Sequence, residues 1–251
     1  MLIDSHCHIL KTEYDNINEI KENAFSSGLK FIINNAYSME SIRELVNTNL
    51  HNNEFIAIGV GPEAVNNYTD LDIKEIESYI KNKKVVAIGE IGLDYYWTKD
   101  NKDKQIKVFK DMLFLAEKYK LPVIVHSRDS IQDTYDIIKQ YKVKGIMHCY
   151  SGSVEMAKEF IKLGFLIGIG GVITFKNAIK LVEVLKAIDI KNISLETDSP
   201  YLSPEPYRGK KNEPKNIIEI AKKIAEIKSL DVNEVIDATT LNVSRMFDLK
   251  S

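Results

Sequence analysis

Cysteine and arginine are scarce in this chain, and each scarcity excludes something. Two cysteines in 251 residues, Cys7 and Cys149, are too few for a disulfide framework and read as reduced thiols. Arginine occurs only at Arg43, Arg128, Arg208 and Arg245, against 30 lysines, so an arginine beside a functional segment stands out. No apolar run is long enough to span a bilayer. The N-terminus has no basic region, apolar run and small-residue cleavage site of a signal peptide, so a cytoplasmic protein without membrane attachment is expected. There is also no Pro/Gly/Ser linker, no low-complexity tract and no break in composition, which argues for one domain over residues 1–251. The net charge of −2 excludes coating nucleic acid by bulk charge, though a local basic patch stays open.

What is present is a regular alternation. After an opening strand from Leu2, β-rich runs fall at 30–34, 55–60, 84–90, 122–126, 145–148, 165–169 and 193–196. Helical periodicity fills 17–27, 39–50, 73–81, 102–119, 131–141, 154–163 and 178–188, and two helices, 214–228 and 232–247, close the chain. Eight strands each followed by a helix predict an α/β protein of the (β/α)8 TIM-barrel type, with 44% hydrophobic residues ample for its core. A doubly wound open sheet is the alternative.

The strand ends carry the chemistry. His6 and His8 end strand one, two residues apart and so on one face, with Cys7 turned away. Glu90 ends strand four, His126 strand five, His148 strand six, and Glu196-Thr197-Asp198 strand eight. Strand ends converge on the catalytic face of such a barrel, so four of five histidines meet there and His51 falls at the opposite end. A single strand-end histidine is more often a hydrogen-bonded core or surface residue than a ligand, and one buried carboxylate can simply pair with a lysine. Jointly those readings fail, because clustered imidazoles without a cation would desolvate one another. Two carboxylates beside them complete a divalent-metal donor set. The six divide as His6, His8 and Asp198 on one ion and His126 and His148 on a second, with Glu90 as the bridge. Zn, Mn, Fe, Ni or Co suit the mixed donors better than Ca, and Mg is compatible. Two such ions roughly 3.5–4 Å apart provide a hydroxide near neutral pH and clamp attacking and leaving oxygens, which predicts metal-assisted hydrolysis.

At these residues the sequence resembles the TatD family of metal-dependent deoxyribonucleases, within the amidohydrolase-like barrels. The matching segments are DSHCH from Asp4, AIGEIGLDYY from Ala87, PVIVHSR from Pro122 and MHCYSG from Met147, followed by LETDSPYL from Leu195 and PYRGKKNEP from Pro206. They run in family order from 4 to 214, and GEIGLDYY and ETDSPYL are specific where HxH alone is weak. The resemblance implies a divalent-metal nuclease acting on DNA, often as a 3′-to-5′ exonuclease on single strands or 3′ ends. It implies metal-ligand roles for His6, His8, Glu90, His126, His148 and Asp198, with Glu90 and Asp198 catalytic and Asp198 also accepting a proton from the attacking water. One departure stands out. The family usually has Gly-x-His-Pro-His after strand three, and Gly59-Val60-Gly61-Pro62-Glu63 stands here, with an acid unfavourable to phosphate.

Phosphate contacts are expected from Arg128, beside His126, and from Arg208 and Lys210 with Lys211 in the loop after strand eight. A lysine-rich chain also solvates loops this way. Tyr95, Tyr96, Trp97 and Tyr150 sit in mouth loops, to stack on bases or to pack the rim, the latter favoured for Tyr95. Asp94 and Glu196 read as carboxylates that orient ligands, and Cys7 and Cys149 as buried thiols facing away from the metals. Gly168, Gly170 and Gly171 suggest a tight turn, because the Lys-Ser/Thr of a phosphate loop is missing. Two other functions fit the same donors: a carbonyl-centred hydrolase of small amides, esters or lactones, or a non-catalytic metal-binding module.

Overall fold

The computed structural model describes residues 1–249. Eight parallel strands pair in chain order: β1 (Leu2–Cys7), β2 (Leu29–Asn35), β3 (Glu54–Ile58), β4 (Val85–Asp94), β5 (Val123–Arg128), β6 (Gly145–Met147), β7 (Phe165–Ile169) and β8 (Ile193–Leu195). Between them run α1 (Ile17–Ser26), α2 (Met39–Asn47), α3 (Asp72–Tyr79), α4 (Lys102–Tyr119), α5 (Ile131–Ile138), α6 (Val154–Lys162) and α7 (Ile179–Ala187), followed by α8 (Ile217–Lys228) and α9 (Val232–Met246). The seam between β8 and β1 closes through a few contacts. The Ser5 hydroxyl donates to the Leu195 carbonyl at 2.8 Å and the Asp198 N–H to the His6 carbonyl at 3.0 Å. Buried Asp4 accepts the Thr197 N–H at 3.0 Å and its hydroxyl at 2.6 Å. The sheet is thus a (β/α)8 barrel and not an open doubly wound sheet.

Helix starts follow from short polar side chains that take up unpaired N–H groups. Asn16, Ser38, Ser153 and Asp231 each accept a backbone N–H from the first turn of α1, α2, α6 and α9, a cap usually stabilising by about 1 kcal/mol. The apolar stripe of α4, with Val108, Phe109, Met112, Leu113 and Ala116 buried, packs against the barrel wall. Outward strand residues such as Ile88, Val125 and Met147 share that outer core with the helices.

A separate inner core fills the foot of the barrel: Ile3, Phe31, Ile33, Ala57, Ala87, Ile124, Ile146 and Leu166, stoppered by Val243, Phe247 and Leu249. On β5 and β6 the next inward positions, two residues on, are His126 and His148. On β1 and β4 the step from Ile3 to His6 and from Ala87 to Glu90 is three residues. Both strands carry an extra residue there: the register moves from Asp4↔Ile32 to Cys7↔Asn34, and from Ile88↔Val123 to Ile91↔Val125. These bulges turn His6 and Glu90 inward.

Several bounds differ from those read in the sequence. β4 continues four residues past Glu90, so Glu90 lies at a bulge within the strand and not at its end. β6 and β8 stop earlier, leaving His148, Glu196 and Asp198 just beyond them. The segment before α8 is a 3-10 turn, Pro214–Asn216. No helix among the described residues is long and apolar enough to cross a membrane.

Candidate metal centre

His6, His8, Glu90, His126, His148 and Asp198 meet at the barrel mouth, all buried except His126, which is partly exposed. His6 Nε2 and His8 Nε2 lie 3.0 Å apart. Glu90 Oε2 is 3.4 and 3.3 Å from them, and Asp198 Oδ1 3.6 and 3.7 Å. Donors around a four-coordinate ion at about 2.1 Å are separated by roughly 3.4 Å, so Glu90 Oε2 and Asp198 Oδ1 each stand at ligand spacing from the two histidine nitrogens. The other Glu90 oxygen, Oε1, faces the second histidine pair, 3.0 Å from His126 Nδ1 and 4.0 Å from His148 Nε2. His6 with His148 and Asp198 forms a third group of close donors, so the two halves are contiguous. The residues present fit divalent metal.

Neighbouring groups set which nitrogen faces inward. His8 Nδ1 lies 2.9 Å from the Asn35 carbonyl, an acceptor only, so Nδ1 carries the proton and Nε2 presents its lone pair to the site. His148 Nδ1 lies 3.0 Å from Glu196 Oε1, and His126 Nε2 3.0 Å from Asp94 Oδ2. Asp94 and Glu196 therefore stand behind the second histidine pair as the sequence suggested. Gly92 makes room for this: at φ +141°, a Cβ there would come 2.0 Å from the His126 carbonyl oxygen.

The charges follow from burial and crowding. Burial opposes a charge on Glu90, but the surrounding imidazoles His6, His126 and His8 outweigh it and hold the carboxyl well below its usual range. Burial lifts Asp198 to about 6, against the pull of His148 and His8. Burial disfavours imidazolium at His126, yet Asp94 and Glu90 raise it to about 10; in the same way Glu196 and Asp198 raise His148 to about 9. His6, buried beside His148, falls well below the usual histidine value.

Above the centre opens a cleft of about 770 Å³. Ligand side chains form its floor, and Glu63, Asn66, Trp97, Asn101, Arg128 and Tyr201 are among its walls. Arg128 lies in this cleft as expected. Arg208 and Lys210 do not: Arg208 is drawn 3.7 Å onto the Phe175 ring, and both residues line a neighbouring hollow of about 230 Å³. Tyr150 is also misplaced for stacking, since it is buried with its hydroxyl donating to the Ser153 carbonyl at 2.7 Å. Tyr95 packs the rim, its hydroxyl on Asp133 at 3.0 Å. Cys7 turns away from the donors, its thiol toward the Ile33 carbonyl. Cys149 does not turn away: past the end of β6 it has φ +43° and joins the cleft wall. Burial and the carboxylates of Asp198 and Glu196 push its thiol well up, so it is no thiolate nucleophile. Gly168 and Gly171 serve close approach and not a turn, with Cβ positions 2.6 Å from Glu196 Oε2 and 2.0 Å from the Leu202 carbonyl.

Sequence reasoning missed Asp4 as the clamp between β1 and β8, and Gln105 as the anchor of the loop after β4. Gln105 is buried on α4, accepting the Asp94 N–H at 2.8 Å and donating to the Asp94 carbonyl at 2.9 Å. A glutamine within the apolar stripe of α4 is its only signal.

Comparison with known proteins agrees with this geometry. The model of the family described as TatD related DNase matches residues 3–248. The chain is 39% identical to the uncharacterized metal-dependent hydrolase YabD of Bacillus subtilis over 98% of this chain and 99% of that one. It is 36% identical to the uncharacterized metal-dependent hydrolase MJ1582 of Methanocaldococcus jannaschii, over 98% and 96%. The crystal structure of YjjV, a TatD homologue from Escherichia coli, superposes with a TM-score of 0.89 at 27% identity, over 99% and 98% of the two chains. This chain belongs to the TatD-related DNase family and is a metal-dependent hydrolase of that family.

Proposed function

We propose that this chain is a deoxyribonuclease that hydrolyses phosphodiester bonds of DNA, working 3′-to-5′ on single strands or 3′ ends. The observation that carries the reading is the position of Glu90, whose two carboxylate oxygens face different histidine pairs beneath a cleft walled by Arg128. His6, His8 and Asp198 would hold one divalent ion, His126 and His148 a second, and Glu90 both. Zn, Mn, Mg, Co and Ni are the candidates. Such ions, when bound, supply Lewis acidity and make water a nucleophile at neutral pH.

The chain's own groups do the rest. Asp198, besides holding metal, would take a proton from the attacking water, and Asp94 and Glu196 hold the His126 and His148 rings in position. Arg128 presents a guanidinium to a phosphate entering the cleft. Free thiols at Cys7 and Cys149 fit a reducing cytoplasm.

Glu63 favours a second reading. It is the cleft's extra carboxylate, and with Arg208 and Lys210 outside, Arg128 is the one arginine or lysine lining the cleft among the described residues. A small neutral ester or lactone would suffer less from that balance than a polyanion. The test is one panel: single-stranded oligonucleotide, double-stranded DNA, RNA, and aryl esters and lactones, each with Mg, Mn, Zn, Co or Ni. Stepwise loss of 3′ nucleotides, abolished in Glu90→Ala and Asp198→Ala, is the expected result. Turnover of esters or lactones with every nucleic acid left intact would overturn it.

A further inference from the structure

We propose that Trp97, with Arg128 and Tyr96, forms a stacking subsite for an unpaired nucleobase beside the metal centre. This rests on the nuclease reading above and adds to it the part of the substrate that the mouth recognises. Trp97 is the chain's single tryptophan, and it is 76% exposed on the wall of the cleft whose floor is the donor cluster. A ring that large left in water is costly by area alone, roughly 25 cal/mol per Å² of apolar surface. Exposed in a cleft wall, it is available to a flat partner.

Its neighbours make it a composed surface. The Tyr96 ring, 54% exposed, meets Trp97 edge to face at 4.8 Å between centroids. The Arg128 guanidinium lies 3.7 Å from the Tyr96 ring centroid and 5.4 Å from that of Trp97. Arginine laid on aromatic rings keeps edge N–H groups free for a phosphate while its plane extends the stack. Asn66 and Asn101 line the same cleft, Asn101 held in place by the Gln105 amide, which donates to its Oδ1 at 2.8 Å.

The segment is also held still at its root. The Tyr96 N–H donates to Asp94 Oδ1 at 2.9 Å, and the Tyr95 N–H to the Arg128 carbonyl at 2.9 Å. Gln105 takes both backbone groups of Asp94, and Tyr95 is fastened to Asp133, itself paired with Lys102 at 2.8 Å. A surface ordered before the ligand arrives loses less entropy on binding. Every base has a π-face, so such a site grips single strands without selecting sequence, and a paired base cannot reach it.

The single tryptophan provides the readout. Full-length Mn-loaded protein would be titrated with a short oligothymidylate carrying phosphorothioate linkages and a 5′ fluorescein, followed by tryptophan emission and by fluorescein anisotropy. A matched strand abasic at its last two positions would be the control. Tryptophan quenching should saturate at the concentrations that saturate anisotropy. Trp97→Ala should bind about 5- to 150-fold more weakly, the usual range for one lost stack, with Trp97→Phe close to the unaltered protein. The abasic strand should lose a similar factor against the unaltered protein and none against Trp97→Ala. Equal affinity of Trp97→Ala, or of the abasic strand, would overturn the subsite. Cleavage of the unmodified strand is scored separately. Cleavage that ignores Trp97 sinks the subsite alone, whereas neither binding nor cleavage sinks the nuclease reading with it.

Discussion

At the foot of the barrel Ile3, Ala87, Ile124 and Ile146 interlock above Phe247; one inward step higher, the same four strands present His6, Glu90, His126 and His148. The lower layer is dry and holds the fold, and the upper layer crowds charge and holds the chemistry. Both layers lie on the same strands, and on β1 and β4 a bulge between the layers turns the upper residue inward. The two layers bury opposite chemistry, so the two ends should fail in different ways when altered.

The largest effect is expected at the mouth. Glu90→Gln removes the negative charge that both halves of the centre share and replaces one of its two oxygens by an amide nitrogen, and hydrolysis should fall by more than about 10³-fold. Metal content, measured by elemental analysis of dialysed protein, should fall with it. A fully loaded, inactive variant would show that Glu90 is not shared between metals. The foot should show the converse. Phe247→Ala opens a cavity under the inner core and should cost about 3–5 kcal/mol of stability, read by urea unfolding. Activity per folded molecule should be unchanged, and a loss there would mean that the two layers are mechanically coupled.

Within the mouth a finer comparison follows. The His6–His8 side is the more enclosed, and His126 is the exposed ligand, backed by Asp94. Asp94→Asn keeps the shape but weakens the hold on His126, and should lower affinity for one metal equivalent by about 10- to 100-fold. A chelator titration should then strip one metal well before the other. Simultaneous loss of both would contradict the separation of the halves.

How much of this was legible beforehand varies by residue. The barrel was, because eight β/α units leave few alternatives, and so were His126 and His148, which follow Ile124 and Ile146 by the strand period of two. His6 and Glu90 were legible as chemistry but not as geometry. Strict alternation from Ile3 or Ala87 would turn both outward, and only a bulge on each strand restores them, a feature without a clear sequence signal. That Arg208 lies outside the cleft is not legible, because nothing local announces that Phe175, 33 residues earlier, holds its guanidinium. Cys149 was misjudged because its backbone leaves the strand period at φ +43°.

The smallest expected effect concerns protons, and it separates His6 from the His126–His148 pair. In the metal-free protein His126 and His148, at about 10 and about 9, are cationic at pH 7.5, whereas His6 is neutral. Metal requires neutral imidazole, so filling the His126–His148 side should release about two protons, which the lowered His6 has no share in. Calorimetric titration with Mn in buffers of differing ionisation heat counts them directly. The same shifts fix a sign for stability. A histidine whose folded value is raised stabilises the fold fully below its unfolded value near 6.5, and loses that contribution as pH rises through the folded one. Metal-free protein should therefore lose stability as pH rises from about 6.5 to 10, and metal-loaded protein, with these rings already neutral, should not. Parallel melting curves for the two forms across that interval would show that the carboxylates of Asp94, Glu90 and Glu196 do not hold the second pair charged.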